Sequence, residues 1–197
     1  MSEEEWVVVS CTVNGARVRR SVPVRQHLVD FLRIELGLTG AHLGCEHGVC
    51  GACSVRVDGA VVRGCLMLAA QADGADIMTI EGLAETGEIA DLQAAFVERN
   101  ALQCGYCTPG MLVTAAELLA EAKPRTREEI RTFLSGNYCR CTGYHAIIDA
   151  IAATLQKRLE KRPSSNFPTR RRPNHGRPSK SRPPMSHRKN DLGIPCR

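Results

Sequence analysis

Val7 to Val13 reads V-V-V-S-C-T-V, with an apolar side chain at every odd position and Ser10 and Thr12 between them. A period of two puts Val7, Val9, Cys11 and Val13 on one face of a strand, with Cys11 as a small buried hydrophobe. Asn14-Gly15 follows, a pair that accepts positive φ at both central positions of a hairpin turn. Ala16 to Val24 is expected to return beside the first strand. Leu28, Phe31, Leu32 and Leu36 then recur at helical spacing and stop near Gly37. Residues 54–57 and 61–62 flank Asp58-Gly59, a second hairpin signal, and residues 76–80 read as a last short strand.

After Gly87 the period changes to that of a helix. Leu92, Ala95 and Phe96 share one face, and Thr108-Pro109 reads as an N-cap with proline in the first turn. Leu112, Ala115, Ala116 and Leu119 form the stripe behind it. Thr126-Arg127-Glu128-Glu129 is a capping box ahead of Ile130, Phe133 and Leu134, with Gly136 or Asn137 closing that helix. Thr142 is expected to cap a final helix striped by Ile147, Ile148, Ile151 and Leu155. The pattern predicts an α+β chain: a β-grasp, ferredoxin-like domain at 1–83, a four-helix domain at 84–162, and a disordered basic tail at 163–197.

Charge divides the chain in the same way. From Lys161 to Arg197 there are eleven Lys or Arg and one acid, Asp191, whereas the remainder holds 15 basic and 20 acidic residues. The tail is therefore strongly basic and the folded part mildly acidic. Phe167 is the tail's one aromatic, which argues against nucleic-acid stacking. The readings left for it are a dispensable extension, peripheral contact with an anionic membrane, or an altered frame beginning near Pro163. The acidic N-terminus lacks the order of a secretory signal, and the expected location is cytoplasmic.

Eight of the ten cysteines fall into two sets of four. In a reducing compartment such clusters bind metal rather than form disulfides. Cys45, Cys50 and Cys53, followed by Cys65, have the C-x4-C-x2-C…C spacing of plant-type [2Fe–2S] ferredoxins. Gly44, Gly48 and Gly51 allow the backbone to wrap an anionic cluster closely. His47 is expected to be an exposed loop residue, because four cysteines already complete the set. Cys104 and Cys107 with Cys139 and Cys141 make the second set; on spacing alone, C-x2-C with a distant C-x-C suits either zinc or iron. Each of these pairs is expected at a helix start, where the partial positive charge favours an anion. Arg140, between two of these cysteines, is either a surface charge or a hydrogen-bond donor to cluster or partner. Cys196 in the tail reads as a free thiol.

Residues 44–53, 101–111 and 135–144 (S-G-N-Y-C-R-C-T-G-Y) resemble the iron–sulfur subunit of molybdenum hydroxylases. That family includes aerobic carbon monoxide dehydrogenase, xanthine dehydrogenase, aldehyde oxidoreductase and N-heterocycle hydroxylases. The resemblance runs from about Val7 to about Lys157, and it implies two [2Fe–2S] clusters, the second on Cys104, Cys107, Cys139 and Cys141. It also implies a large partner subunit carrying molybdopterin, often as the cytosine dinucleotide in bacteria, and a medium subunit carrying FAD, in a dimer of heterotrimers. Electrons would pass from the large subunit through the second set, then the first, to FAD. Gln103 and Cys141 match the family positions that approach the pterin. Substrate chemistry would lie on the large subunit, so the chain would serve an oxidoreductase without catalytic residues of its own. The competing readings are a free-standing two-cluster ferredoxin or redox sensor, and a zinc-stabilised interaction module.

Overall fold

The computed structural model describes residues 5–161; the basic tail read at 163–197, with Cys196, lies outside the described residues. Strand β1 (Trp6–Val13) and strand β2 (Ala16–Pro23) form the first hairpin, paired from Trp6↔Pro23 to Val13↔Ala16. Asn14 and Gly15 take φ of 50° and 81° at its turn, as the sequence predicts. Val9, Cys11 and Val13 are buried while Ser10 faces solvent. β2 is an edge strand, and its exposed Arg17, Arg19 and Arg20 discourage pairing with another chain.

Helix α1 (Leu28–Asp30) runs directly into a π-helical turn, Phe31–Glu35. The expected helix is therefore present but wider than an α-helix over its second half. Strands β3 (Ser54–Val57) and β4 (Ala60–Arg63) form the second hairpin around Asp58 and Gly59, at φ of 49° and 83°. Strand β5 (Asp76–Met78) slots between β1 and β3, parallel to the first and antiparallel to the second. The resulting order is β2-β1-β5-β3-β4. Leu28, Phe31 and Leu32 pack with Val9, Val55 and Ile77 in the sheet-side core.

The strand read at 76–80 is shorter in the structure. Ile80 instead opens helix α2 (Ile80–Glu85), because Thr79 exchanges hydrogen bonds with the Asn14 side chain and ends the strand there. Helices α3 (Ala90–Glu98), α4 (Thr108–Ala120), α5 (Arg127–Phe133) and α6 (His145–Glu160) follow. Thr126 and Glu129 form the expected capping box, with Thr126 Oγ1 accepting from the Glu129 amide at 3.2 Å and Glu129 Oε2 accepting from the Thr126 amide at 2.7 Å. Thr108 is the first residue of α4 rather than its cap, a position that Cys107 occupies. Helix α6 begins at His145, after Tyr144 at φ 71°, and Thr142 does not cap it.

Helix α4 is buried nearly all round, from Gly110 to Leu119 with Glu117 half-buried. One side meets the helical core of Phe96, Ile130, Ile148 and Ile151, while the other packs on β3. Each fully buried Leu, Ile or Phe contributes about 1.5–3 kcal/mol relative to exposure. Two arginines reinforce this packing. Arg56 on β3 holds Glu88 through two hydrogen bonds of 3.1 and 2.7 Å. Arg158 on α6 holds Asp91 at 2.7 and 2.5 Å and the Glu88 carbonyl at 2.8 Å.

The Arg56 hydrogen bonds keep the Glu88 carboxyl below its ordinary range, and those from Arg158 do the same for Asp91. Groups with lowered folded-state values stabilise the protein above their unfolded values, about 4.3 for Glu and 3.9 for Asp. That contribution is lost as pH falls through the lower folded-state values. Because the two carboxylates are 38% and 44% exposed, each pair contributes at most about 1 kcal/mol. Asp91→Asn is expected to melt slightly lower than wild type at neutral pH, with the gap closing below the carboxylate range; thermal unfolding against pH checks this.

Candidate metal centres

Residues 40–53 cross from the π-turn to β3 without helix or strand. Along this path Glu46, Gly48 and Gly51 take positive φ, which curls the backbone around its own sulfurs. The Cys50 amide donates to Cys45 Sγ at 3.4 Å. That bond, with help from the His47 and Val49 amides, holds the Cys45 thiol near 6. Cys53 and Cys65 lie beside each other and are 2% and 8% exposed. Burial pushes Cys53 up to about 11, with the adjoining Cys65 thiol adding to the shift. His47 is exposed and bonds the Cys45 carbonyl, so it stays a loop residue as expected.

The second set gathers from two loops. Cys104 and Cys107 precede α4, and Cys139 and Cys141 lie between the short 3-10 turn Leu134–Gly136 and α6. Cys104 Sγ and Cys141 Sγ are 3.5 Å apart at the surface. Cys107 and Cys139 face each other farther in, and burial pushes Cys107 up to about 12. Thr142 donates to Cys139 Sγ from its amide at 3.4 Å and from its hydroxyl at 3.1 Å. Against the burial of its own thiol, these bonds leave Cys139 lowered. The expected helix-start environment therefore holds for Cys107, whereas Thr142 serves Cys139 with its own hydroxyl and amide.

The sulfurs of each set are paired, Cys45 with Cys50 and Cys53 with Cys65, Cys104 with Cys141 and Cys107 with Cys139. Among the described residues no cluster of three or more His, Cys, Asp or Glu side chains forms a site for one metal ion. A two-iron core instead takes two protein ligands at each iron, which paired thiols match. Buried thiols such as Cys53 and Cys107 ionise readily only beside a bound cation. Amides and a hydroxyl aimed at sulfur are what such a core needs from its surroundings. The residues present fit a [2Fe–2S] core in each loop system.

Direct bonds join the two loop systems. The Tyr138 amide donates to the Cys50 carbonyl at 2.8 Å. Buried Asn137 donates to the Gly51 carbonyl at 3.2 Å and accepts from Thr114 at 3.1 Å. Tyr106, between Cys104 and Cys107, stacks on His42 at 4.6 Å and donates to the Leu43 carbonyl at 2.6 Å. Arg63, at the end of β4, also bonds across the two systems, to Ser54 and to the Gly136 carbonyl. Nothing in the sequence singles out a bridging role for Asn137, Tyr106 or Arg63, because each acts through a partner far away in the chain. Gln103 and Arg140 are exposed, and Arg140 borders a shallow cavity of about 290 Å³ with Tyr138, Cys139 and Tyr144.

A sheet half and a helical half, each with paired thiols in a donor-rich loop, define an iron–sulfur electron carrier. Residues 11–79 match the 2Fe-2S iron-sulfur cluster binding domain and residues 79–152 the [2Fe-2S] binding domain. The chain is 54% identical over 149 residues to the gamma subunit of caffeine dehydrogenase from Pseudomonas sp. (strain CBB1), covering 73% of this chain and 88% of the relative. The small subunit of nicotine 6-hydroxylase from Paenarthrobacter nicotinovorans is 51% identical over 150 residues, 76% of this chain and 90% of the relative. Quinoline 2-oxidoreductase from Pseudomonas putida 86 superposes with a TM-score of 0.74 at 47% identity, over 79% of this chain and 96% of that chain.

The chain belongs to the iron–sulfur small subunits of molybdenum hydroxylases, and it is an electron-transfer subunit of an oxidoreductase complex. No helix among the described residues is long and apolar enough to cross a membrane.

Proposed function

We propose that Cys45, Cys50, Cys53 and Cys65 hold one [2Fe–2S] cluster and Cys104, Cys107, Cys139 and Cys141 a second. The first belongs to a β-grasp domain of residues 1–83 and the second to a four-helix domain of residues 84–162. Each cluster, when bound, takes up and releases one electron at a time. The observation that carries this reading is the 2.8 Å hydrogen bond from the Tyr138 amide to the Cys50 carbonyl. It leaves a single peptide contact between a thiol-bearing residue of the first set and the neighbour of Cys139. Asn137 and the Tyr106–His42 stack hold that contact in register, while amides and Thr142 stabilise the ligand sulfurs as anions.

Gln103, Cys104 and Cys141 share an exposed edge, and this edge suits the pterin of a molybdopterin-bearing large subunit, cytosine dinucleotide being the expected form. Electrons then enter at the second set and leave from the first toward FAD on a medium subunit, within a dimer of heterotrimers. Caffeine, nicotine and quinoline, named for the relatives, are all N-heterocycles. The same substrate class is proposed for the complex that contains this chain.

Affinity purification of the full chain from its native host tests the reading. The expected result is a brown complex with a large and a medium partner, about four irons per small subunit and two distinct paramagnetic signals on reduction. A brown chain recovered alone would point to a free-standing carrier, and a colourless zinc-loaded chain would exclude iron.

A further inference from the structure

A guanidinium is wedged between the two thiol loops, and it serves neither as a ligand nor in any ion pair among the described residues. Arg63 ends β4, two residues before Cys65, and is half-buried. Its Nη1 donates to the hydroxyl of Ser54, the residue after Cys53. Its Nη2 donates to the Gly136 carbonyl at 2.7 Å and reaches Asn137 Oδ1 at 3.4 Å, two residues before Cys139. The oxygens it bonds are all neutral, and Ser54 and Asn137 are each 2% exposed. Ser54 in turn donates to the Gly51 carbonyl at 2.6 Å, between Cys50 and Cys53. One guanidinium therefore touches the backbone neighbours of both sulfur sets.

We propose that Arg63 is a shared electrostatic positioning residue that raises the reduction potential of both clusters together. A cluster held by four thiolates is anionic and becomes more so on gaining an electron, so a fixed cation in a partly desolvated position favours its reduced form. Because Arg63 bonds both loops, its charge acts on both clusters and makes the reduction of each more favourable. Guanidinium suits this position because its planar fork serves Ser54 and Gly136 at once. A residue needed for folding alone would require the hydrogen bonds and not the charge.

This inference rests on the proposed ligation, which the wild-type complex tests by its iron content and its two paramagnetic signals. With those in hand, redox titration of the assembled complex followed by those signals compares Arg63→Gln and Arg63→Lys. Loss of the charge in Arg63→Gln is expected to shift each reduction equilibrium about tenfold toward the oxidised form. For one electron that is about 59 mV downward for both clusters. Arg63→Lys keeps the charge and is expected to hold both potentials within about twofold of wild type in the same equilibrium. Unchanged potentials in Arg63→Gln, or movement of only one cluster, would overturn the proposal. If Arg63→Gln does not assemble, Arg63→Met, which also removes the charge, is titrated in its place: a fall in both potentials at full iron content supports the proposal, and unchanged potentials overturn it. A fall of the same size in Arg63→Lys would assign the effect to geometry and overturn the role of charge.

Discussion

Gly51→Ala is expected to lower the stability of the chain by more than about 3 kcal/mol and to part the two thiol loops. Gly51 sits at φ +75°, where an L side chain costs about 1–2 kcal/mol. A Cβ there would stand 2.5 Å from the Gly136 carbonyl and 2.7 Å from Asn137 Nδ2. The first of these atoms is backbone and cannot swing away. Nor can the loop retreat on its other side, because the Gly51 carbonyl is packed against Gly110, where even a Cβ would overlap it. Relief requires the Asn137–Gly51 bond to break, leaving buried polar groups unpaired at about 1–3 kcal/mol. For a domain of this size the apparent melting temperature should fall by about 6–12 °C. Gly59→Ala is the control: it shares a positive φ but has nothing within 4 Å, so it should show the backbone cost alone.

Cys139→Ala is expected to halve the iron content and remove one of the two paramagnetic signals while the other persists. Cys139 faces Cys107 in the inner half of the second set, and Thr142 donates to it twice. Loss of its sulfur leaves three thiols, one of them burial-shifted and unpaired. Changes to groups that merely support a ligand typically cost about 10–100-fold in metal affinity or activity, and removal of the ligand itself should exceed that range. Dye reduction by the assembled complex should therefore fall by more than about 100-fold. Cys11→Ala serves for comparison, since Cys11 is buried in the sheet core and belongs to neither set of four. Full iron content in Cys139→Ala would refute the ligand assignment.

Features encoded by neighbours in the chain were legible. Asn14-Gly15 and Asp58-Gly59 marked the two hairpins because positive φ is a local demand that few residues meet. Thr126 and Glu129 announced α5 because both halves of the capping box lie within one turn. The cysteine spacings were readable for the same reason. What failed was decided across the fold. Ile80 continues an apolar run and resembles a strand end, yet Asn14, over sixty residues earlier, captures Thr79 and turns the chain into α2. Thr142 has the chemistry of a cap, but a sulfur three residues back takes its hydroxyl first. The stripe on α4 indicated one buried face, since nothing local reveals that β3 covers another. Arg63 and Asn137 carry no spacing signal at all, because their partners stand 73 and 86 residues away.

That last separation has a consequence for biosynthesis. Gly51 leaves the ribosome 86 residues before the Asn137 that closes over it. At ordinary rates of translation the interval is roughly 4–17 s. During it the Cys45–Cys53 segment has neither the Asn137 amide on Gly51 nor the Tyr138 amide on Cys50. The closure of the second loop over the first is thus a late event in the order of synthesis, because the chain must be complete to Tyr138 before the two loops can dock.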